Sequence, residues 1–317
     1  MPCQVDLAKS CGAPQFAPVV TAHGGFCMAV THGDWVSHVL TKKQFWEIRD
    51  AAEMTQLAPS SAALSPIPAR GLFIDIGANL GYYSLLFSSM GWTVVAIEAK
   101  PSNQQAFNAS LCMNEQLKRH VTIVPTAAGP RGRCVLRSHR INRASPQLMC
   151  NESATDPASG WLQAGCCPAS CGECGPIGKR VDPDAACAQR PGGLACCFDT
   201  CEHVDVTPLD DVLLPWLPTA HRHKAASRPV IVKIDIEGSE CDAFASGQSL
   251  FTAFRPTIIQ FEAKLPHVRE CMTREAARHG YTVGTRSSGA DMNMALWSGE
   301  SWPVARARNA GGGGGGS

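Results

Sequence analysis

The sequence predicts an α/β chain built on a doubly wound, mostly parallel sheet, and three observations carry that prediction. Short, continuous apolar runs recur: "LFIDI" (72–76), "TVVAIE" (93–98), "VTIVP" (121–125), "PVIVKIDIEGSE" (229–240) and "PTIIQFEA" (256–263). Such runs mark strands buried on both faces. Helical patterns separate them, and the first run ends in a loop with two glycines, "GANLG" (77–81). Strands alternating with helices give a parallel sheet with helices on both faces.

Taken in order, residues 1–25 read as a loose arm and 26–70 as a lead-in. In the lead-in, "FCMAVTHGDWVSHVL" (26–40) suggests a strand or hairpin and "TKKQFWEIRDAAEMTQL" (41–57) a short helix. "APSSAALSPIPARG" (58–71) is a linker by its Pro, Ser and Ala content. The main domain spans 71–303. After the first strand, Tyr83, Leu86, Phe87 and Met90 fall at helical spacing on a helix beginning near Leu80. Pro101 opens the next helix from the tolerated first turn. Phe244, Leu250, Phe251 and Phe254 follow the fourth strand, and Val268, Met272 and Ala276 share one helical face that Gly280 stops. "YTVG" and "NMALWS" close the sheet as a hairpin, and 304–317 is a flexible Gly-rich tail.

With 44% hydrophobic and 17% charged residues, the composition is that of an ordinary globular protein. A formal charge of +1 gives no support for a nucleic-acid partner. No apolar run is long enough to span a bilayer, and the first residues lack the apolar core of a signal peptide. The cysteines stand out. There are sixteen, eight of them between 166 and 201, in a stretch too poor in bulky apolar residues to build its own core. This stretch is an insertion, at 150–205, because the chain returns to the same sheet afterwards. Disulfides, zinc at Cys171-x-x-Cys174 with Cys166, Cys167 and His203, and redox chemistry are three readings of it. Disulfides fit the even count best and point to an oxidising compartment, against the missing leader. The Asn108-Ala-Ser110 and Asn151-Glu-Ser153 sequons add little, and His221 and His223 read as a solvated loop.

The glycine loop carries the chemistry. Gly77 and Gly81 tolerate positive φ and let a ligand approach the backbone, while the helix start aims free N–H groups there. Glu98 ends the second strand, where an acid accepts hydrogen bonds from ribose hydroxyls. A dinucleotide wants G-x-G-x-x-G for its pyrophosphate. Here the spacing is Gly-Ala-Asn-Leu-Gly, and Asp75 precedes it, an acid that repels a diphosphate and suits a cationic amino group. S-adenosylmethionine, with a ribose and an amino-acid tail but no phosphate, fits that pattern better.

"FIDIGANLGYYSLLFSSMGWTVVAIEAKPSNQQAFNASL" resembles the donor-binding half of FkbM-type methyltransferases. The likeness continues in "TPLDDVL" (207–213), "VIVKIDIEGSECDAF" (230–244) and "FRPTIIQFEA" (254–263). The resemblance implies a class I methyltransferase (Rossmann-like) fold with an antiparallel last strand, and O-methylation of a sugar, glycan or small-metabolite hydroxyl. It puts Asp75, Gly77, Ala78, Asn79 and Gly81 around the donor's methionine end, Glu98 on its ribose, and Thr126 and Ala127 near its adenine. It places Asp235, Glu237 and Glu240 where donor and acceptor meet. Asp235 is then the first candidate for general base, with Glu237 orienting the acceptor. The opposing readings are that Asp235 only binds the donor and that Glu237 caps the next helix. Asp210, in "TPLDDVL", has no assigned role.

No metal is called for. A different class of function keeps the fold but makes the cysteine-rich module a binding device on a degenerate core. The intact Asp75, Gly77, Gly81, Glu98 and Asp235 speak against it. The acceptor and the oligomeric state are not encoded in any motif recognised.

Overall fold

The computed structural model describes residues 3–32, 34–57, 67–68, 70–139, 142–150, 198–217, 229–284 and 293–298. The cysteine-rich stretch up to 197, His221, His223 and the Gly-rich tail lie outside these, so the choice between disulfides and zinc at 166–201 rests on the sequence alone.

At the centre is a seven-stranded sheet. Its strands are β3 (Leu72–Ile76), β4 (Thr93–Ile97), β5 (Val121–Val124), β10 (Val230–Ile234), β11 (Ile258–Glu262), β12 (Thr282–Val283) and β13 (Asn293–Trp297). They run β5-β4-β3-β10-β11-β13-β12 across the sheet. The five predicted strands are parallel, and β13 enters antiparallel to both β11 and β12. That order, with its reversed seventh strand, is the class I methyltransferase arrangement, and it places the switch in strand direction of travel between β3 and β10.

Alternation along each strand sorts the core into two layers. Phe73, Val94, Ala96, Ile231 and Ile258 face α3 (Tyr82–Ser89) and α4 (Pro101–Met113), among Leu85, Leu86, Phe87 and Phe107. Leu72, Ile74, Ile76, Val95, Val232, Ile234 and Phe261 face the other layer. There they meet α6 (Leu209–Leu213), α7 (Glu240–Ala245) and α8 (Pro266–His279) through Leu209, Leu213, Phe244, Val268 and Met272. Short helix α5 (Glu115–Lys118) leads into β5.

Three sequence expectations are corrected. Residues 3–25 are not a loose arm: they form α1 (Val5–Ser10) and β1 (Phe16–Thr21), which pairs with β2 (Gly24–Ala29). Ala8, Ala13, Ala17 and Val19 are buried, and cystines Cys3–Cys27 and Cys11–Cys112 tie the segment down, the second onto α4. The helix expected over 41–57 instead begins at α2 (Trp35–Lys43), because Asp34 caps it by accepting the Ser37 N–H at 2.6 Å. It ends at Gln44 in the left-handed conformation, and Ala51–Leu57 is a separate 3-10 turn. Finally, residues 198–205 of the expected insertion are not loop but part of a strand that pairs with chain lying before the insertion. β6 (Ala127–Ala128), β7 (Gly132–His139), β8 (Asn142–Met149) and β9 (Phe198–Thr207) make a second, four-stranded sheet in the order β6-β9-β7-β8. Cystine Cys134–Cys150 closes its hairpin, and Cys241–Cys271 joins α7 to α8. All eight cysteines outside 166–201 are therefore paired.

Candidate active site

The carboxyl ends of β3, β4, β10 and β11 open onto one cleft. Gly77, Ala78, Asn79, Glu98, Thr126, Ala127, Asp235 and Glu237 all line it. Asp75 and Gly81 do not.

The loop after β3 is shaped by protein packing. Gly77 (φ +81°) and Gly81 (φ +89°) both need left-handed backbone. A Cβ on Gly77 would sit 2.0 Å from the Asp235 carbonyl oxygen, and one on Gly81 2.3 Å from the Phe107 ring. The space the sequence reading assigned to a ligand is thus taken by the end of β10 and by α4. Asn79 is also left-handed, at φ +55°. Asp75 is corrected too. It is fully buried behind the loop, accepting from the Ser84 hydroxyl at 2.7 Å, with its other oxygen unpartnered among the described residues. Burial raises its pKa against the nearby Lys233 charge and the Ser84 bond. It does not reach the cleft to hold an amino group.

Glu98 does. Its carboxylate accepts from the Asn79 N–H at 2.7 Å, the Lys100 N–H at 2.8 Å and Asn103 Nδ2 at 3.3 Å. Burial outweighs these donors and pushes its pKa up to about 7. A carboxylate oxygen has about two lone-pair sites, so acceptor capacity is left for a ligand's hydroxyls. Beyond it, Thr126 bonds the Asp205 carbonyl at 2.9 Å and the Thr207 hydroxyl at 2.8 Å, docking the second sheet on the first. Leu136, Pro146 and Leu148 of that sheet, with Val36 and the exposed Trp35, form an apolar wall at this end of the cleft.

The opposite end is acidic. Oxygens of Asp235, Glu237 and Glu262 lie within 4.8 Å of one another. Asp235 is paired with buried Lys233 at 3.2 Å. Burial alone would lower the lysine pKa, but Asp235, Asp75 and Glu47 outweigh it and hold Lys233 charged. Glu262 is half-buried, and burial, then Asp235 and Glu237, push its pKa up to about 8. Glu237 stands on a left-handed turn, φ +54°, and the contact tying that turn to α7 comes from Glu240, which accepts the Ile236 N–H at 3.0 Å. Glu47 also lines this end, accepting from the Tyr83 hydroxyl at 2.6 Å and from Asn293 Nδ2 at 3.4 Å.

Sequence reasoning missed Glu262, Glu47, Tyr83 and Lys233. For Glu262 a signal existed: like Glu98, it is an acid closing a buried strand. Glu47 had none, since an irregular segment brings it in. Asp210 acquires a role away from the cleft, accepting the Ser249 N–H at 2.8 Å and so holding α6 against the segment after α7.

Residues 199–298 match the model of the methyltransferase FkbM domain. Comparison with curated proteins gave no match. Among solved structures, the chain is similar to a precorrin-6y C5,15-methyltransferase from Geobacter metallireducens, at 12% identity and TM-score 0.36, covering 80% of this chain and 91% of that one. It is likewise similar to the C-terminal domain of a Rhodobacter capsulatus precorrin-6Y C5,15-methyltransferase, at 14% and 0.36, covering 85% and 92%. A third is the human methyltransferase 10 domain containing protein, at 14% and 0.36, covering 77% and 76%. The "KIDIEGSE" turn and the reversed β13 both lie within the matched stretch, so over residues 199–298 the chain is similar to the methyltransferase FkbM domain.

Proposed function

We propose that this protein is an S-adenosylmethionine-dependent O-methyltransferase acting on a hydroxyl of a sugar, glycan or small polyhydroxylated metabolite. The observation that carries this reading is the division of one cleft into two chemically distinct ends. At one end the Glu98 carboxylate and the loop residues 77–79 share the cleft with the apolar wall of Leu136, Pro146 and Leu148. That set suits ribose hydroxyls, a polar tail and a flat base. At the other end, carboxylates and Asn293 offer hydrogen-bond acceptors to a hydroxyl-rich molecule and disfavour an anionic one.

When bound, the donor supplies a methyl group already activated by its sulfonium. The chain's task is alignment: Glu98 and the 77–79 loop fix one reactant, and the acidic end holds the acceptor oxygen in line. A hydroxyl acceptor also has to give up its proton, which calls for a carboxylate at that end. The four cystines among the described residues support folding in an oxidising compartment. No helix among the described residues is long and apolar enough to cross a membrane.

Calorimetric titration of S-adenosylmethionine and its demethylated product tests the reading, followed by a panel of methyl glycosides and oligosaccharides assayed for methyl transfer. Saturable one-site binding that Glu98→Ala weakens supports it. A folded protein that binds neither molecule refutes it, and favours the reading in which the cysteine-rich module is the functional part.

A further inference from the structure

Resting on that reading, we propose that Glu262 is the residue that takes the proton from the acceptor hydroxyl, with Asp235 as the fixed charge beside it. Sequence reasoning gave the base to Asp235, but the structure commits that carboxylate elsewhere. Its Oδ2 lies 3.2 Å from the ammonium of Lys233, itself buried and wedged against Asp75 and the Tyr83 ring, 5.1 Å from the ring centre. An acid so paired orients and carries charge. Glu262 is placed differently. It ends β11, the strand next to β10 in the sheet, and lines the same cleft. Among the described residues its carboxylate accepts no hydrogen bond, so both oxygens are available to a hydroxyl.

The surroundings favour proton uptake. Asp235 and Glu237 face Glu262 from the end of β10 and its turn, and Glu240 from α7; Lys264, just after β11, opposes them. Glu47 and Lys233 line the cleft beyond. Acid outnumbers base, so a proton arriving on Glu262 relieves repulsion among the three carboxylates. A catalytic base works best when its pKa lies near the working pH, and a value of about 8 meets that condition. The step balances simply. The acceptor's O–H bond breaks, the proton goes to a Glu262 oxygen, and the bonding pair stays on the acceptor oxygen, which becomes the nucleophile. Protonated Glu262 then returns the proton to water.

The first test needs neither donor nor acceptor. In protein labelled with 13C at glutamate side-chain carboxyls, one resonance should titrate near pH 8 and vanish in Glu262→Gln. In Glu237→Gln it should move to lower pH, since a neighbouring charge is gone. If the resonance lost in Glu262→Gln titrates below pH 6, the proposal is overturned whatever the activity. Failure of the wild type to bind the demethylated donor would instead sink the methyl-transfer reading, and leaves the two outcomes distinct. With an acceptor from the glycoside panel, Glu262→Gln should bind the demethylated donor within about twofold of wild type. Its turnover should fall about 100-fold or more, the range expected for loss of a general base, and the rise in rate with pH should disappear. Wild-type turnover with an unchanged pH profile in that variant would also overturn it.

Discussion

Gly77→Ala tests the packing of the glycine loop after β3 most directly. The substitution adds one methyl group, yet the built Cβ lies 2.0 Å from the Asp235 carbonyl oxygen and 2.9 Å from both its carbonyl carbon and Ile236 Cγ2. Two of those contacts are backbone, so no side-chain rotation relieves them. Left-handed backbone costs an L-residue roughly 1–2 kcal/mol, and overpacking a rigid site adds about 1–3 kcal/mol. The expected loss is therefore about 2–5 kcal/mol in urea unfolding. Gly280→Ala separates the two contributions, because Gly280 has φ +73° with nothing within 4 Å of an added Cβ. It should cost only the backbone part, about 1–2 kcal/mol. The same Gly77→Ala protein should bind the demethylated donor weakly, since the loop must move away from β10. Equal destabilisation in the two variants, with donor binding intact in Gly77→Ala, would refute the argument that the Asp235 carbonyl fills this space.

The remaining predictions concern charge and cross-links. Glu98→Gln should weaken binding of the demethylated donor about 10- to 100-fold by calorimetry, since hydrogen bonds to a charged group contribute about 1.5–3 kcal/mol. Glu98 and Glu262 titrate near 7 and 8 in the folded protein against an ordinary glutamate value of 4.5. The native state then holds protons that the unfolded chain releases, so their contribution is complete below pH 4.5 and is lost as pH rises through 8. Thermal melts should show the transition temperature falling from pH 5 to pH 8, with Glu262→Gln flattening the decline; a rise over that window contradicts the burial argument. Replacing Cys11 and Cys112 together by Ser opens a cystine spanning 101 residues. It should cost about 4–5 kcal/mol in urea unfolding on a chain-entropy account, and loosen the β1–β2 hairpin from α4 in hydrogen exchange.

Much of the half around the glycine loop was legible because its determinants are local. "LFIDI" is apolar at every position but Asp75, so it is a buried strand wherever it lies, and a glycine loop and helix must follow within a few residues. The same holds for "TVVAIE", closing on Glu98, and for "KIDIEGSE". The N-terminal segment was not legible. Its order depends on Cys11 meeting Cys112 and on the Asn114 side chain bonding both the N–H and the carbonyl of Cys27, contacts between parts far apart in the chain. Nor was the second sheet, whose strands β7 and β9 pair across the whole cysteine-rich stretch.

Local pattern alone, then, determined the strands, their parallel packing, the glycine loop and the acids that end β4 and β10, because hydrophobic period and backbone conformation act over a few residues. Which of those acids face one another was decided by the tertiary structure. Asp75 is sealed behind the loop, Asp235 is taken by Lys233, and Glu262 is left facing the cleft among other carboxylates. Burial and pairing set the chemistry of a carboxyl group, and both are properties of neighbours that only the folded sheet brings together.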